Sequence, residues 1–140
     1  MALSFQLTDI NYKLSEKSKL KKWLTQVAEN HKMKIGELNY VFTNDDVLLH
    51  YNQKYLNHHT YTDIITFDNC TETMVAGDII ISVDRVNENA KKFKVSATEE
   101  LHRVMAHGLL HLLGYKDKKK SDVEEMRKQE TKALKLLSIV

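Results

Sequence analysis

The segment from Ala97 to Leu113 constrains this chain more than any other. Leu101, Val104, Met105, Ala106, Leu109, Leu110, Leu112 and Leu113 place apolar groups at nearly every angle round a helix. Such a helix is stable in water only when other elements enclose it. Ser96 or Thr98 can cap its start, and Glu99 and Glu100 suit the positive end of its dipole. The rest of the chain must therefore supply walls for a buried central helix. At 140 residues the chain has the length of one domain, and residues 1–140 are read as one.

The walls are legible as short periodic runs. Ser4 to Thr8 alternates as a first strand, and Ser15 to about His31 carries a helical apolar stripe of Leu20, Trp23, Leu24 and Val27. Trp23 is expected in the core. Gly36 reads as an interruption before a second strand, Leu38 to Phe42. Thr43 or Asn44 can cap a short helix containing Val47, Leu48, His50 and Tyr51. A polar stretch from Asn52 to Tyr61 leads to a third strand, Asp63 to Phe67. Gly77 and Asp78 open a fourth, Ile79 to Val83, whose continuous apolar run implies cover on both faces. Helical spacing resumes at Asp84 with Val86, Ala90 and Phe93, and a last amphipathic helix spans about Ser121 to Leu137. The fold class is α+β, with a mixed sheet of about four strands packed by helices around the central one.

His107 and His111 lie four apart on that helix and so share a face. Their imidazoles can converge on one ion, and Gly114, three residues on, is placed to end the helix and turn the chain. Asp117 can then return a carboxylate to the same point, in the spacing His-x3-His-x5-Asp. Satisfied core histidines are the alternative. Yet burying two imidazoles is costly unless their nitrogens find partners, and a metal ion supplies one. Three protein ligands leave a fourth position for water, as catalytic zinc sites do. Zinc is the expected ion, although nickel, cobalt or iron suits the same donors. Helical zinc peptidases place a glutamate base directly after the first histidine, and here Gly108 stands there. Glycine in a buried helix costs about 1 kcal/mol against alanine, so a strand or a substrate backbone must approach closely.

Charge and compartment narrow the class further. Lys13, Lys17, Lys19, Lys21, Lys22, Lys32 and Lys34 outnumber Glu16 and Glu29, and the stretch from Lys116 to Lys135 is again basic. Basic faces on a chain of net charge +2 suit a polyanion, or are simply solvated helix surfaces. Cys70 is the single cysteine, which excludes an internal disulfide. No run approaches the roughly 18 apolar residues of a membrane span, and the N-terminus lacks the features of a secretory signal. A cytoplasmic location without membrane contact is expected.

The run His107-Gly108-Leu109-Leu110-His111-Leu112-Leu113-Gly114-Tyr115-Lys116-Asp117 resembles the motif of the YbeY family, bacterial metal-dependent single-strand endoribonucleases of ribosomal RNA maturation. Thr62 to Phe67, Gly77 to Ile81, and Met126, Arg127 and Glu130 resemble further segments of that family. The resemblance implies a metal held by His107, His111 and Asp117, the last where relatives usually carry histidine. It also implies an RNA substrate, ribosomal RNA precursors in particular, with the ribosome or its proteins as partners. Relatives have an arginine just after the tyrosine matching Tyr55, and here Leu56 occupies that place. Arg103, four residues before His107, is a candidate replacement that would contact phosphate; pairing with Glu99 or Glu100 is the other reading.

Remaining candidates carry two readings each. Asp78 either orients a metal-bound histidine or caps a turn. His58 and His59 are expected at the surface, and Cys70 has no base partner that would make it a nucleophile. Two other functions stay open: a zinc peptidase-like hydrolase, against which Gly108 argues, and a non-enzymatic ribosome-associated protein with a structural metal. The last would close the site with a fourth ligand such as His102 or Asp63.

Overall fold

A computed structural model of the protein describes residues 2–56 and 62–140, the side chain of Leu56 excepted. Its elements run β1 (Ala2–Leu7), α1 (Lys17–Asn30), β2 (Lys34–Thr43), α2 (Asp45–Leu56), β3 (Ile64–Asp68), β4 (Met74–Ser82), α3 (Val83–Phe93), α4 (Ala97–Leu112) and α5 (Lys120–Leu137). The sheet has the order β1-β2-β4-β3. β1 and β4 flank β2 in parallel, and β3 joins the edge of β4 antiparallel. This is the mixed α+β arrangement the periodicities predict.

Two strands are longer than the sequence suggests. Gly36 does not interrupt β2; it lies inside it, where the register slips between Ile35 and Leu38. Three steps along β2 match two along β4, so one extra residue lets both Ile35 and Leu38 point inward. Alternation read from sequence breaks at such a bulge. Likewise Gly77 and Asp78 lie within β4, which begins at Met74, and Val83 starts α3 rather than ending the strand.

The two faces of the sheet are unequal. Leu38, Tyr40, Phe42, Ile79 and Ile81 point into the main core with α1 and α4, each essentially without exposure. Ile65 and Ile80 point the other way, where α2 covers them with Leu48. The central helix is enclosed as its composition requires: Leu101, Val104, Met105, Ala106, Leu109 and Leu110 are all buried. The Tyr40 hydroxyl donates to the Met105 carbonyl at 2.8 Å and pins α4 to β2. Trp23 is wholly buried, its indole donating to the Ala133 carbonyl at 2.7 Å, which ties α1 to α5.

Gly108 marks the tightest contact between α4 and the sheet. A Cβ there would stand 2.8 Å from Ile79 Cγ2 and 2.9 Å from Ile64 Cδ1. The close approach anticipated at this glycine is therefore made by β4 and β3 side chains. None of the described helices is long and apolar enough to cross a membrane.

Candidate active site

The site is built where α4 ends. Ser96 caps the start of that helix, its hydroxyl accepting from Glu99 N at 3.0 Å. At the other end Gly114 adopts φ +109°, its N–H bonds to the His111 carbonyl, and Tyr115 N–H bonds to that of Leu110, each at 3.1 Å. These paired bonds form a Schellman motif, in which a residue of positive φ satisfies the last helical carbonyls and reverses the chain. Side chains are disfavoured at such φ even though open space surrounds the glycine. A Gly114→Ala variant should lose about 1 kcal/mol, read from urea unfolding, and unchanged stability would refute this account.

The reversal carries Asp117 back to the helix. Its Oδ2 stands 3.4 Å from His107 Nε2. The His111 ring lies parallel to that of His107, with centroids 6.5 Å apart and planes 4° from coplanar direction. So the structure brings His107 and Asp117 together and sets His111 one turn away. Among the described residues, no three His, Cys, Asp or Glu side chains are already drawn onto one point.

The opposite edge of the His107 ring is anchored. Nδ1 stands 2.6 Å from Oε2 of Glu130 on α5, whose side chain is only 3% exposed. The other Glu130 oxygen accepts from Arg103 Nη1 at 3.0 Å. Arg103 also makes a forked pair with buried Glu100, Nε to Oε1 at 2.8 Å and Nη2 to Oε2 at 2.6 Å. Burial works against the charge of Arg103, and these carboxylates more than restore it, holding its pKa above the usual range. Arg103 therefore has the Glu100 partner that the sequence offered as its second reading, plus one the sequence did not offer. Its guanidinium braces the carboxylate that holds His107.

Other candidates fall elsewhere. Asp78 lies on the face of the sheet shared with Ile80, away from α4, and is not placed to orient a histidine. It does not cap a turn either, being internal to β4. His102 faces Trp23 edge-on at 6.0 Å and interacts electrostatically with Glu16 and Lys19, on the α1 side. Asp63 is closer to the centre: burial raises its carboxyl pKa, opposed first by the charge of Arg103. The Cys70 thiol is pushed up by burial and donates to the carbonyls of Ala76 and Leu112, at 3.5 and 3.6 Å. A protonated, bonded thiol is a poor nucleophile. His58 and His59 lie outside the described residues.

Glu130 is the functional residue that residue spacing alone missed. The signal was available: Met126, Glu130, Ala133 and Leu137 form the buried stripe of α5. A carboxylate inside an apolar stripe needs a buried partner.

Fold and site together define an α+β domain whose enclosed helix ends in a histidine–carboxylate centre, braced from behind by a buried ion-pair network. The family model described as Endoribonuclease YbeY matches residues 4–138. The chain belongs to the YbeY family. Proteins named Endoribonuclease YbeY resemble it closely: that of Cytophaga hutchinsonii is 47% identical over 129 residues, covering 91% of this chain and 90% of its own. That of Flavobacterium psychrophilum is 45% identical over 131 residues, or 94% of each chain. The solution structure of TM1509 from Thermotoga maritima shares the fold at a TM-score of 0.68, with 24% identity over 97% of this chain and 89% of that one.

Proposed function

We propose that this protein is a metal-dependent endoribonuclease that hydrolyses single-stranded RNA during ribosomal RNA maturation. The observation that carries the reading is the pairing at His107. Glu130 accepts a hydrogen bond from Nδ1–H, which fixes the tautomer and turns the Nε2 lone pair outward. That lone pair faces the Asp117 carboxylate across 3.4 Å. Two acceptors at this separation need a proton or a cation between them. Ligands of one tetrahedral ion with bonds of about 2.1 Å stand roughly 3.4 Å apart, so the His107–Asp117 pair fits a transition metal. His107, His111 and Asp117 would hold it, with zinc the preferred ion and nickel the closest rival.

When bound, such an ion supplies Lewis acidity to a phosphoryl oxygen and lowers the pKa of coordinated water toward neutrality. The chain's own residues do the rest. Glu130 orients His107, and the hydrogen bond from His107 and the charge of Arg103, itself held in place by Glu100, keep Glu130 ionised in its buried place. Asp63, whose carboxyl pKa is raised by burial, interacts electrostatically with His107 and is the available group for moving a proton there. Arg103, as a direct phosphate contact, would have to leave both carboxylates; its proposed role is to position Glu130. A side chain at Gly108 would meet Ile79 and Ile64, so the position that carries the glutamate base in helical zinc peptidases has no base here.

Lysines of residues 116–135 give the RNA backbone a basic path next to Asp117, and the proposed setting is the cytoplasm, on the ribosome. The test is cleavage of labelled single-stranded RNA by purified protein. Activity should vanish with a chelator, return with zinc, and fall by at least about a thousandfold in His111→Ala. Chelator-resistant cleavage, or full activity in that variant, would overturn the metal reading.

A further inference from the structure

We infer that the open face of the sheet beside Tyr55 is a nucleobase site that selects guanine in the RNA held for cleavage; the inference rests on the endoribonuclease reading. Side chains alternate between the faces of a strand, and Gln6, Asn39, Asp78 and Phe67 share the face turned away from α4. α2 closes only part of it. What remains is a cavity of about 550 Å³ lined by these four residues with Tyr51 and Tyr55, among others.

Its walls are aromatic on one side. The rings of Tyr51 and Tyr55 stack with centroids 5.6 Å apart and planes 24° apart, and Phe67 meets Tyr55 edge-on at 5.6 Å. Tyr55 is 54% exposed, so a large flat surface stands open at the rim. A nucleobase has the matching flat face, and stacking of this kind holds single strands whatever the base. The Lys54 ammonium lies 5.2 Å over the Tyr55 ring, and a base stacking there would displace this flexible cation toward the nucleotide's own phosphate.

The other side of the cavity is polar and has a sign. Asp78 and Asn39 are register partners on β4 and β2, and Asn39 Oδ1 already accepts the Ser4 hydroxyl at 2.8 Å. An ionised carboxylate only accepts hydrogen bonds. Guanine offers it two adjacent donors, N1–H and the N2 amino group. Adenine and cytosine offer one donor beside an acceptor, and uracil one donor between two carbonyls. The carboxylate therefore favours guanine and opposes uracil.

The cavity lies one strand away from the proposed hydrolytic centre. Phe67 and Asp68 are consecutive on the edge strand β3, with Phe67 on the open face and Asp68 on the other, within electrostatic reach of His111. The two sites thus lie on opposite faces of one edge strand. RNA passing over that edge would present a guanine close to, but not at, the scissile bond.

Binding of fluorescent single-stranded oligonucleotides that differ at one base, measured with the cleavage-impaired His111→Ala protein, tests this. Roughly tenfold tighter binding is expected when that base is guanine. Tyr55→Ala should weaken binding of every oligonucleotide roughly tenfold, with Tyr55→Phe restoring it. Asp78→Asn should remove the guanine preference. Equal affinity for all four bases, or wild-type binding by Tyr55→Ala, overturns the site while leaving cleavage by the wild-type protein to support the endoribonuclease reading. Failure of the wild-type protein to cleave any RNA overturns both.

Discussion

The Glu130→Ala protein is expected to lose about 3–5 kcal/mol of stability, because removing one partner of a buried ion pair leaves the other uncompensated. Here Arg103 and His107 lose the Glu130 carboxylate at once, and the more exposed Arg127, 3.6 Å from it, with them. Arg103, with 17% of its side chain exposed, keeps Glu100 but loses its second carboxylate, and the Nδ1–H of His107 loses its acceptor. Metal affinity should fall about 10- to 100-fold as well, since a ligating imidazole depends on the acceptor behind it. Glu130→Gln separates the effects: it fills the space and can still accept from His107, but removes the charge facing Arg103. Urea unfolding and zinc titration of both variants measure the two losses. A Glu130→Ala protein with wild-type stability and zinc affinity would show that the network is incidental.

The same residue sets a pH dependence. Burial alone would raise the Glu130 carboxyl, but the hydrogen bond from His107 and the charge and bonds of Arg103 outweigh it, so its folded pKa lies below the ordinary value. A carboxylate with a folded pKa below its unfolded one contributes stability that is complete above the unfolded value, about 4.3. That contribution is lost as pH falls through the folded value. The unfolding midpoints of wild-type and Glu130→Gln proteins should therefore draw together on acidification below about pH 4. A constant gap between them would contradict this.

Gly77→Ala is expected to cost at least about 3 kcal/mol, from backbone strain together with steric overlap. Gly77 has φ +138°, and a Cβ there would fall 1.9 Å from the backbone oxygen of Phe67. That oxygen belongs to the neighbouring strand and cannot swing aside like a side chain, so β3 and β4 would have to part. The damage should reach the site, because β3 supplies Ile64, which packs at Gly108 beneath the histidine-bearing turn of α4. Circular dichroism melting would show the loss; a wild-type midpoint would mean that the strand pair yields far more easily than its geometry implies.

How much could be read before the fold was seen follows from the range of the interactions. His107, His111, Gly114 and Asp117 are within eleven residues, and helical periodicity with one turn relates them, so their shared locality was legible. The enclosure of α4 was legible too, because a helix apolar on all sides has no other stable state in water. Gly108 announced a close approach without saying from what. Glu130 is 23 residues from His107 along the chain, and only the packing of α5 on α4 brings its carboxylate to Nδ1.

The same holds for Arg103 and Asp78. Helical spacing placed Arg103 on the histidine face, yet a buried carboxylate from another helix decided where its guanidinium points. The face on which Asp78 lies depends on strand register, which no local pattern of that segment states. The sequence by itself thus determined the buried helix, its paired histidines and the turn that follows, since these depend on neighbours a few residues apart. The tertiary structure alone decided which buried charges meet behind His107 and which side chains share the open face of the sheet, because those partners are joined by packing rather than by the chain.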